Sequence, residues 1–391
     1  MSNAGATTTS SETDPYLSEA SKVTNGSANA RNQAALTVGV SDRPPFGVKD
    51  DIRRERKPPD RNLLDRDRIV DGLRQWGIVI VFVAIIVTFS WLRPTTFMTF
   101  QNVVNVVNNS SSLLLFAMAA TLALAIGEFD LSFVAVADLV AVLVGVLVTG
   151  LGWTGAFGIA GALTLGLVCG AAIGAINGLF VAKAFVPSFV ATLAVGSIAA
   201  GLELATQVWI AGGMKQISVI VLPAPLQALG SATAFGSPIK WTVVTVFLFA
   251  TALWLLVRRT TPGRQAYAIG GNPMAAYLAG VPVAALRIAV FALIGFVAAL
   301  AGSIALAERG YFNMGSPPLL LPAYTAAFLG AAVLAKKKRF DIFGSVFSVF
   351  VLLALGNGLS LLNQPRWIAS AISGLVLLAA VLLNRPQNRK V

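Results

Sequence analysis

The feature that most limits what this chain can fold into is a succession of ten long apolar runs. They lie near residues 76–92, 111–127, 133–150, 156–182, 185–205, 241–257, 287–306, 323–335, 342–361 and 368–384. A helix needs about 17–25 mostly apolar residues to cross the hydrocarbon core of a bilayer, and it satisfies its backbone polar groups within itself. Hydrophobic residues make up 56% of the chain and charged residues only 12%, against about 25% charged in soluble domains. The expected fold is an all-α polytopic membrane protein of about ten transmembrane helices.

Charge divides the 391 residues into unequal parts. Residues 1–73 carry 11 basic and 11 acidic side chains and have no apolar periodicity, so they are expected to form a disordered cytoplasmic tail. The whole net charge of +12 therefore belongs to the rest of the chain, with a transmembrane domain expected at 74–385 and a short cytoplasmic tail at 386–391. These basic residues flank apolar runs, which points to membrane topology and not to nucleic acid. With the first tail inside, alternation puts 13 Lys/Arg on the cytoplasmic side, among them Arg258, Arg259, Arg264, Arg287 and the cluster at 336–339. Five fall outside: Arg93, Lys215, Lys240, Arg309 and Arg366. That bias is the positive-inside pattern, with both termini inside a cytoplasmic (inner) membrane. The polar stretch before the first run is not expected to act as a secretory signal.

Absences bound the chemistry. The chain has no histidine, and its one cysteine, Cys169, sits within an apolar run, so zinc sites, disulfides and Cys–His nucleophiles are not expected. No phosphate-cradling G-x-x-x-x-G-K-[ST] occurs, so any ATPase driving the protein is another polypeptide. The chain is expected to catalyse no covalent reaction and to hold no cofactor or metal.

Six acids remain beyond residue 73: Glu128, Asp130, Asp138, Glu203, Glu308 and Asp341. Glu128 and Asp130 stand in "LAIGEFDLSFVAV", where Gly127 breaks the second run. Asp130 or Ser132 can cap the helix that follows by accepting its free N–H groups. The same broken end can line a translocation path, where irregular backbone is tolerated. Asp138, deeper in the third run, is either a path residue or a hydrogen-bonded interior aspartate. Glu128, Asp130, Ser132 and Asp138 are thus the candidate path residues.

Glycines mark packing. Gly166, Gly170, Gly174 and Gly178 recur every fourth residue on one helix face and admit a second backbone. "NGL" ends the fourth run at Asn177 and the ninth at Asn357. Five runs separate them, as an inverted 5+5 repeat requires.

A connector between two runs, "GRQAYAIGGNPMAAYLAGV", is neither short nor simply polar. Gly270 and Gly271 read as a turn, Asn272 as an N-cap and Pro273 as the first helical residue. Met274, Tyr277 and Leu278 share one face, and Gly280 suits a left-handed C-cap. A helix of about two turns, roughly 10 Å long, has no stability alone in water. It packs on its own bundle or on a partner.

Three ordered segments resemble the permease subunits of bacterial sugar ABC importers of the ribose/xylose class. "GEFDLSFVAVADL" is similar to that family's Gly-x-Asp-Leu-Ser segment. "AAIGAINGLFVAKAFVPSFVATLAVGSIAAGL" is similar to its Asn-Gly-Leu followed by Pro-x-Phe-x-x-Thr-Leu. The connector matches most closely, with Gly263, Arg264, the run Tyr267, Ala268, Ile269, Gly270, Gly271 and Asn272, then Ala275, Ala276 and Gly280 at family positions. The resemblance covers about residues 76–384. It implies an ABC importer permease fold and a coupling helix, including Met274, Tyr277 and Leu278, that rests in a groove of a cytoplasmic ATPase subunit. It further implies a secreted or periplasmic solute-binding protein, with the 206–240 loop as its contact, and a second permease copy in the lipid bilayer. The expected cargo is a monosaccharide or related polyol, with a nucleoside, a branched-chain amino acid or a quorum-signal sugar as alternatives. An ion-coupled secondary transporter is the rival from another class, but it leaves the connector helix without a role. "AKKKRFDIFGSV" departs from the family's Gly-rich turn, and "LLLPAYTAAFLG" lacks an acid often found there. Both departures bear on which solute is carried.

Overall fold

The computed structural model describes residues 61–210, 220–312, 319–333 and 339–383. Residues 65–391 form one unit, separate from 1–64. The expectations for most of the N-terminal tail, for the C-terminal tail and for Lys336, Lys337 and Lys338 lie outside the described residues.

In chain order the helices are α1 (Arg61–Leu92), α2 (Phe100–Asn108), α3 (Ser111–Ala125), α4 (Phe133–Thr149), α5 (Ala156–Ala182), α6 (Ser188–Ile210), α7 (Ala224–Ser231), α8 (Trp241–Arg259), α9 (Thr261–Gly271), α10 (Pro273–Leu278), α11 (Val283–Arg309), α12 (Leu320–Val333), α13 (Ile342–Leu361) and α14 (Arg366–Leu383). Two short strands, β1 (Ile220–Val221) and β2 (Tyr311–Phe312), pair antiparallel. Because α1 begins at Arg61, residues 61–73, read from sequence as tail, are helical.

Each expected run has its helix. Among the described residues, five helices are long and apolar enough to cross a membrane by length and composition: Ala156–Ala182, Ser188–Thr206, Trp241–Arg259, Val283–Arg309 and Ile342–Leu361. A sixth candidate is the pair α2 and α3, bent by 47°. Gly77–Leu92, Phe133–Thr149, Leu320–Ala331 and Trp367–Leu382 are shorter apolar helices. α2 was not legible as a helix of its own; Thr99 starts it by accepting from the Asn102 N–H at 3.3 Å.

The packing partners recur after a shift of five spans. α4 packs on α5, α6 and α11, while α12 packs on α13, α14 and α3. Likewise α5 meets α6 and α11, as α13 meets α14 and α3. Five is odd, so alternation makes equivalent spans cross in opposite directions, which is the inverted arrangement expected from sequence. The two Asn-Gly-Leu ends are not equivalent in detail. Asn177 bonds to Ser132 at the start of α4, whereas Asn357 exchanges side-chain hydrogen bonds with Asn102 at 2.9 and 3.0 Å.

α11 is the central helix, with Phe291, Ile294 and Val297 fully buried. The glycine face of α5 is what lets α11 approach. A Cβ on Gly170 would stand 2.5 Å from the Ala299 Cβ and 2.6 Å from the Gly295 carbonyl oxygen, and one on Gly178 would stand 2.6 Å from the Ile288 Cα. A Cβ on Gly174 would overlap the Phe291 carbonyl outright. Dispersion between helices in lipid depends on such backbone contact, because no hydrophobic effect drives association there. Gly174→Val should therefore destabilise the bundle by about 3 kcal/mol or more through overpacking. Gly356→Ala, at a site with nothing within 4 Å of the new Cβ, should be neutral. The check is the monodisperse yield of each variant after detergent extraction.

Candidate functional site

The link between α3 and α4, residues 126–132, is seven residues outside any helix at one end of the bundle. Gly127 adopts φ 76, which turns the chain out of α3. The N–H groups of Phe129, Asp130 and Leu131 lose helical partners, and side chains from two other helices replace them. Phe129 N–H donates to Ser188 Oγ at 3.1 Å, and Leu131 N–H donates to Thr192 Oγ1 at 3.0 Å, both on α6. Tyr324 of α12 accepts from Asp130 N–H and donates to the Asp130 carbonyl oxygen, each at 2.8 Å. Asp130 Oδ1 accepts from the Ser132 N–H at 2.7 Å and the Ser132 hydroxyl at 2.6 Å, and Ser132 Oγ accepts from Asn177 Nδ2 at 2.8 Å. Of the two capping candidates the aspartate is the one used; the Ser132 side chain caps nothing.

The four candidate path residues fall into three places. Asp130 and Ser132, each 1% exposed, spend their polar atoms holding the joint. Glu128 points to Arg287 in the first turns of α11 and forms an ion pair at 2.9 Å. Asp138 lies apart, in a cleft it shares with Ser112, Phe116, Arg309 and Leu319. Glu308, near the same end of α11, accepts from Ser111 at 2.9 Å and from Thr242 at 2.5 Å, which ties α3 and α8 together there.

The connector between α8 and α11 lies against the joint. Thr260 caps α9, its hydroxyl accepting from the Gly263 N–H at 3.4 Å. The Arg264 guanidinium folds back onto the Arg259 carbonyl and the Thr261 hydroxyl at 3.1 and 3.0 Å. α9 continues through Gly270 and Gly271, where sequence suggested a turn. Gly270 is needed for contact, not for turning: a Cβ there would collide with the Ala125 carbonyl, and one on Gly127 would stand 3.3 Å from Gly270. α10 then forms as expected. Asn272 accepts from the Ala275 N–H at 3.0 Å, Pro273 occupies the first turn and Gly280 takes φ 81. Ala276, 5% exposed, is the α10 residue that faces the bundle. Met274, Tyr277 and Leu278 are 66, 66 and 78% exposed, so the apolar face points away from the protein's own helices.

The stretch that departs from the family turn also docks here. The Tyr267 hydroxyl donates to the Phe340 carbonyl, and the Arg339 guanidinium lies over the Tyr267 ring, 5.2 Å from its centroid. Burial, then the nearby Asp341, pushes the Tyr267 phenol up to about 12 against the opposite pull of Arg339 and Arg258, so it remains a donor at neutral pH. Asp341 caps α13 by accepting from the Phe343 and Gly344 N–H groups.

Sequence reasoning missed the groups that hold the joint: Ser188, Thr192, Tyr324 and Arg287. Thr192 was within reach, as the threonine of the Pro-x-Phe-x-x-Thr-Leu segment. Tyr324 stands in the segment that lacks the expected acid.

A helical bundle with a polar joint at one end and an exposed apolar helix beside it defines a multi-pass membrane permease. Residues 102–381 match the family described as branched-chain amino acid transport system / permease component, and the chain belongs to that family. It is 34% identical over 290 residues to the autoinducer 2 import system permease protein LsrC of Escherichia coli O9:H4 (strain HS), covering 74% of this chain and 80% of that one. The LsrC of Yersinia pestis (strain Pestoides F) is 32% identical over 292 residues, with 74% and 78% covered. The L-arabinose ABC transporter permease protein AraH of Azospirillum brasilense is 31% identical over 315 residues, with 79% and 87% covered. No solved structure matches the chain. It is thus a permease component of a transport system, an inner-membrane protein that crosses the bilayer several times.

Removing the Tyr324 hydroxyl strands a buried N–H, at about 1–3 kcal/mol for such a group. Tyr324→Phe should lower the melting temperature of the purified protein clearly, whereas Tyr277→Phe, at an exposed ring, should not. Equal melting curves for the two variants would show that the joint does not depend on Tyr324.

Proposed function

We propose that this chain is the permease subunit of an ATP-driven ABC importer that carries a monosaccharide or a sugar-like solute inward. The observation that carries the coupling half of this reading is the exposed face of Met274, Tyr277 and Leu278, on a helix built by Asn272, Pro273 and Gly280. A six-residue helix is too short to persist on propensity alone, and its apolar side chains are left for a partner. That partner is a cytoplasmic ATPase subunit whose groove receives α10. Gly263, Arg264, Gly270 and Gly271 belong to the same coupling stretch: the first two shape the turn into α9, and Gly270 carries its end onto the joint. Ala275 and Ala276 belong to that stretch too, with Ala276 on the inward side of α10.

The sugar assignment rests on relatives named for autoinducer 2 and L-arabinose. Of the four candidates Asp138 is assigned to face the solute, because it lines the cleft with Ser112, Phe116, Arg309 and Leu319. A solute-binding protein delivers the cargo on the side opposite α10, and a second copy of this chain completes the pathway within the lipid. The ATP chemistry belongs to the ATPase, and this subunit requires no cofactor.

Leu278→Asp places a charge in a contact from which water is excluded, which costs several kcal/mol without a counter-charge, or orders of magnitude in affinity. The variant should insert normally yet lose both ATPase co-purification and ATP-dependent uptake. Ala268→Ser, on the exposed side of α9, should keep both. Full uptake by Leu278→Asp would refute the coupling role.

Both termini and the α9–α10 connector are placed in the cytoplasm by the excess of Lys and Arg on that side. A protease-sensitive epitope inserted after Lys337 should be protected in intact cells, and one near Gly213 should be cut. Cleavage at the first site from outside would reverse the orientation.

A further inference from the structure

Besides packing on its neighbours α8 and α11, α9 meets the bundle at the joint and at a second, separate place. Its last turn, at Gly270, lies on Ala125 and Gly127. One turn earlier, Tyr267 reaches the link between α12 and α13, donating to the Phe340 carbonyl under the Arg339 guanidinium. Phe340 in turn packs edge-on against Phe328 of α12, at 5.5 Å between centroids. The next residue, Asp341, caps α13. α13 is bound onward into the bundle: Ser345 and Thr121 of α3 share a hydrogen bond at 2.6 Å, and Gly344 lies against Gly330 of α12 with no room for a side chain. A displacement of α9 would therefore be felt by α3–α4 through Gly270 and by α12–α13 through Tyr267. In the five-span repeat, α4 and α12 are equivalent elements, one in each half of the chain.

We propose that Tyr267 is a positioning residue of the transport cycle, the strut by which movement of the coupling stretch reaches the second half of the permease through the Phe340 carbonyl. The inference rests on the coupling role of α10 given above. A hydrogen bond to a backbone carbonyl suits such a strut, because it moves the main chain at the root of α13 and does not depend on a side chain that can change rotamer. The Arg339 cation holds the ring over that carbonyl by an attraction to its π face. The segment that departs from the family turn thus acts on coupling.

The test uses the full-length chain purified with its ATPase subunit, with amide hydrogen exchange measured without nucleotide and with ATP plus orthovanadate. In the parent complex the nucleotide should change exchange in peptides covering 272–280 and in peptides covering 339–346. With Tyr267→Phe, which keeps the ring, the change at 272–280 should persist while that at 339–346 shrinks about fivefold, the factor that one lost hydrogen bond supplies. Arg339→Gln should shrink the same response without touching the carbonyl. If Tyr267 only stabilised the fold, its loss would raise exchange at 339–346 equally with and without nucleotide, leaving the difference intact, and that result overturns the inference. Absence of any nucleotide response at 272–280 in the parent overturns the coupling role of α10 instead, and the strut with it. A response that persists at 272–280 and stays undiminished at 339–346 in both variants removes the strut alone.

Discussion

Everything at the α10 end of this permease depends on one constraint: backbone polar groups shielded from water must find partners within the protein. Between α3 and α4 the chain leaves helical geometry, so the N–H groups of Phe129, Asp130 and Leu131 have no helical carbonyl to reach. Three hydroxyls on two distant helices, Ser188, Thr192 and Tyr324, accept from them. Each unmade bond of this kind costs about 1–3 kcal/mol, so the joint exists only where α6 and α12 bring those hydroxyls to it. Asp130 then satisfies the start of α4 with its own carboxylate. An acid that sequence offered as a path residue has a structural task that fully occupies the one oxygen its neighbours use.

Two close backbone approaches build on this joint. α5 and α11 meet along a glycine face, which lets the central helix sit against the bundle without intervening side chains. α9 meets the joint through Gly270 in the same manner. Contacts of this kind transmit displacement well, because there is no side chain between the two main chains to rearrange. The ion pair between Glu128 and Arg287 adds a third link, from the joint to the first turns of α11, directly after α10. The exposed helix, the joint and the central helix are thereby parts of one mechanical unit.

Family membership and geometry illuminate each other at the positions where the chain departs from the pattern. The stretch around Arg339 and Phe340 looked in sequence like a variation bearing on cargo. In the structure it lies on Tyr267, at the end of the bundle remote from the cleft that holds Asp138 and Arg309. Tyr324, in the segment that lacks an acid often found there, bonds both the N–H and the carbonyl oxygen of Asp130.

The apolar runs, the basic bias and the small capped helix were all legible in the amino-acid sequence, because each arises from local chemistry. A run of 17 to 27 apolar residues forms a helix in lipid wherever it is placed, and Asn272, Pro273 and Gly280 cap and end α10 with atoms no more than a few residues apart. The glycine spacing from Gly166 to Gly178 likewise announced a contact face. What that face would touch was not legible, since Gly295 and Ala299 are more than a hundred residues away. The same holds for Ser188, Thr192 and Tyr324: a hydroxyl in an apolar helix reads alike whether it bonds its own i−4 carbonyl or another segment's N–H. The continuation of α9 through Gly270 and Gly271 was misread as a turn for the same reason. Glycine favours turns locally, and only the carbonyl of Ala125, brought close by the tertiary fold, explains why a side chain is excluded there while the helix goes on.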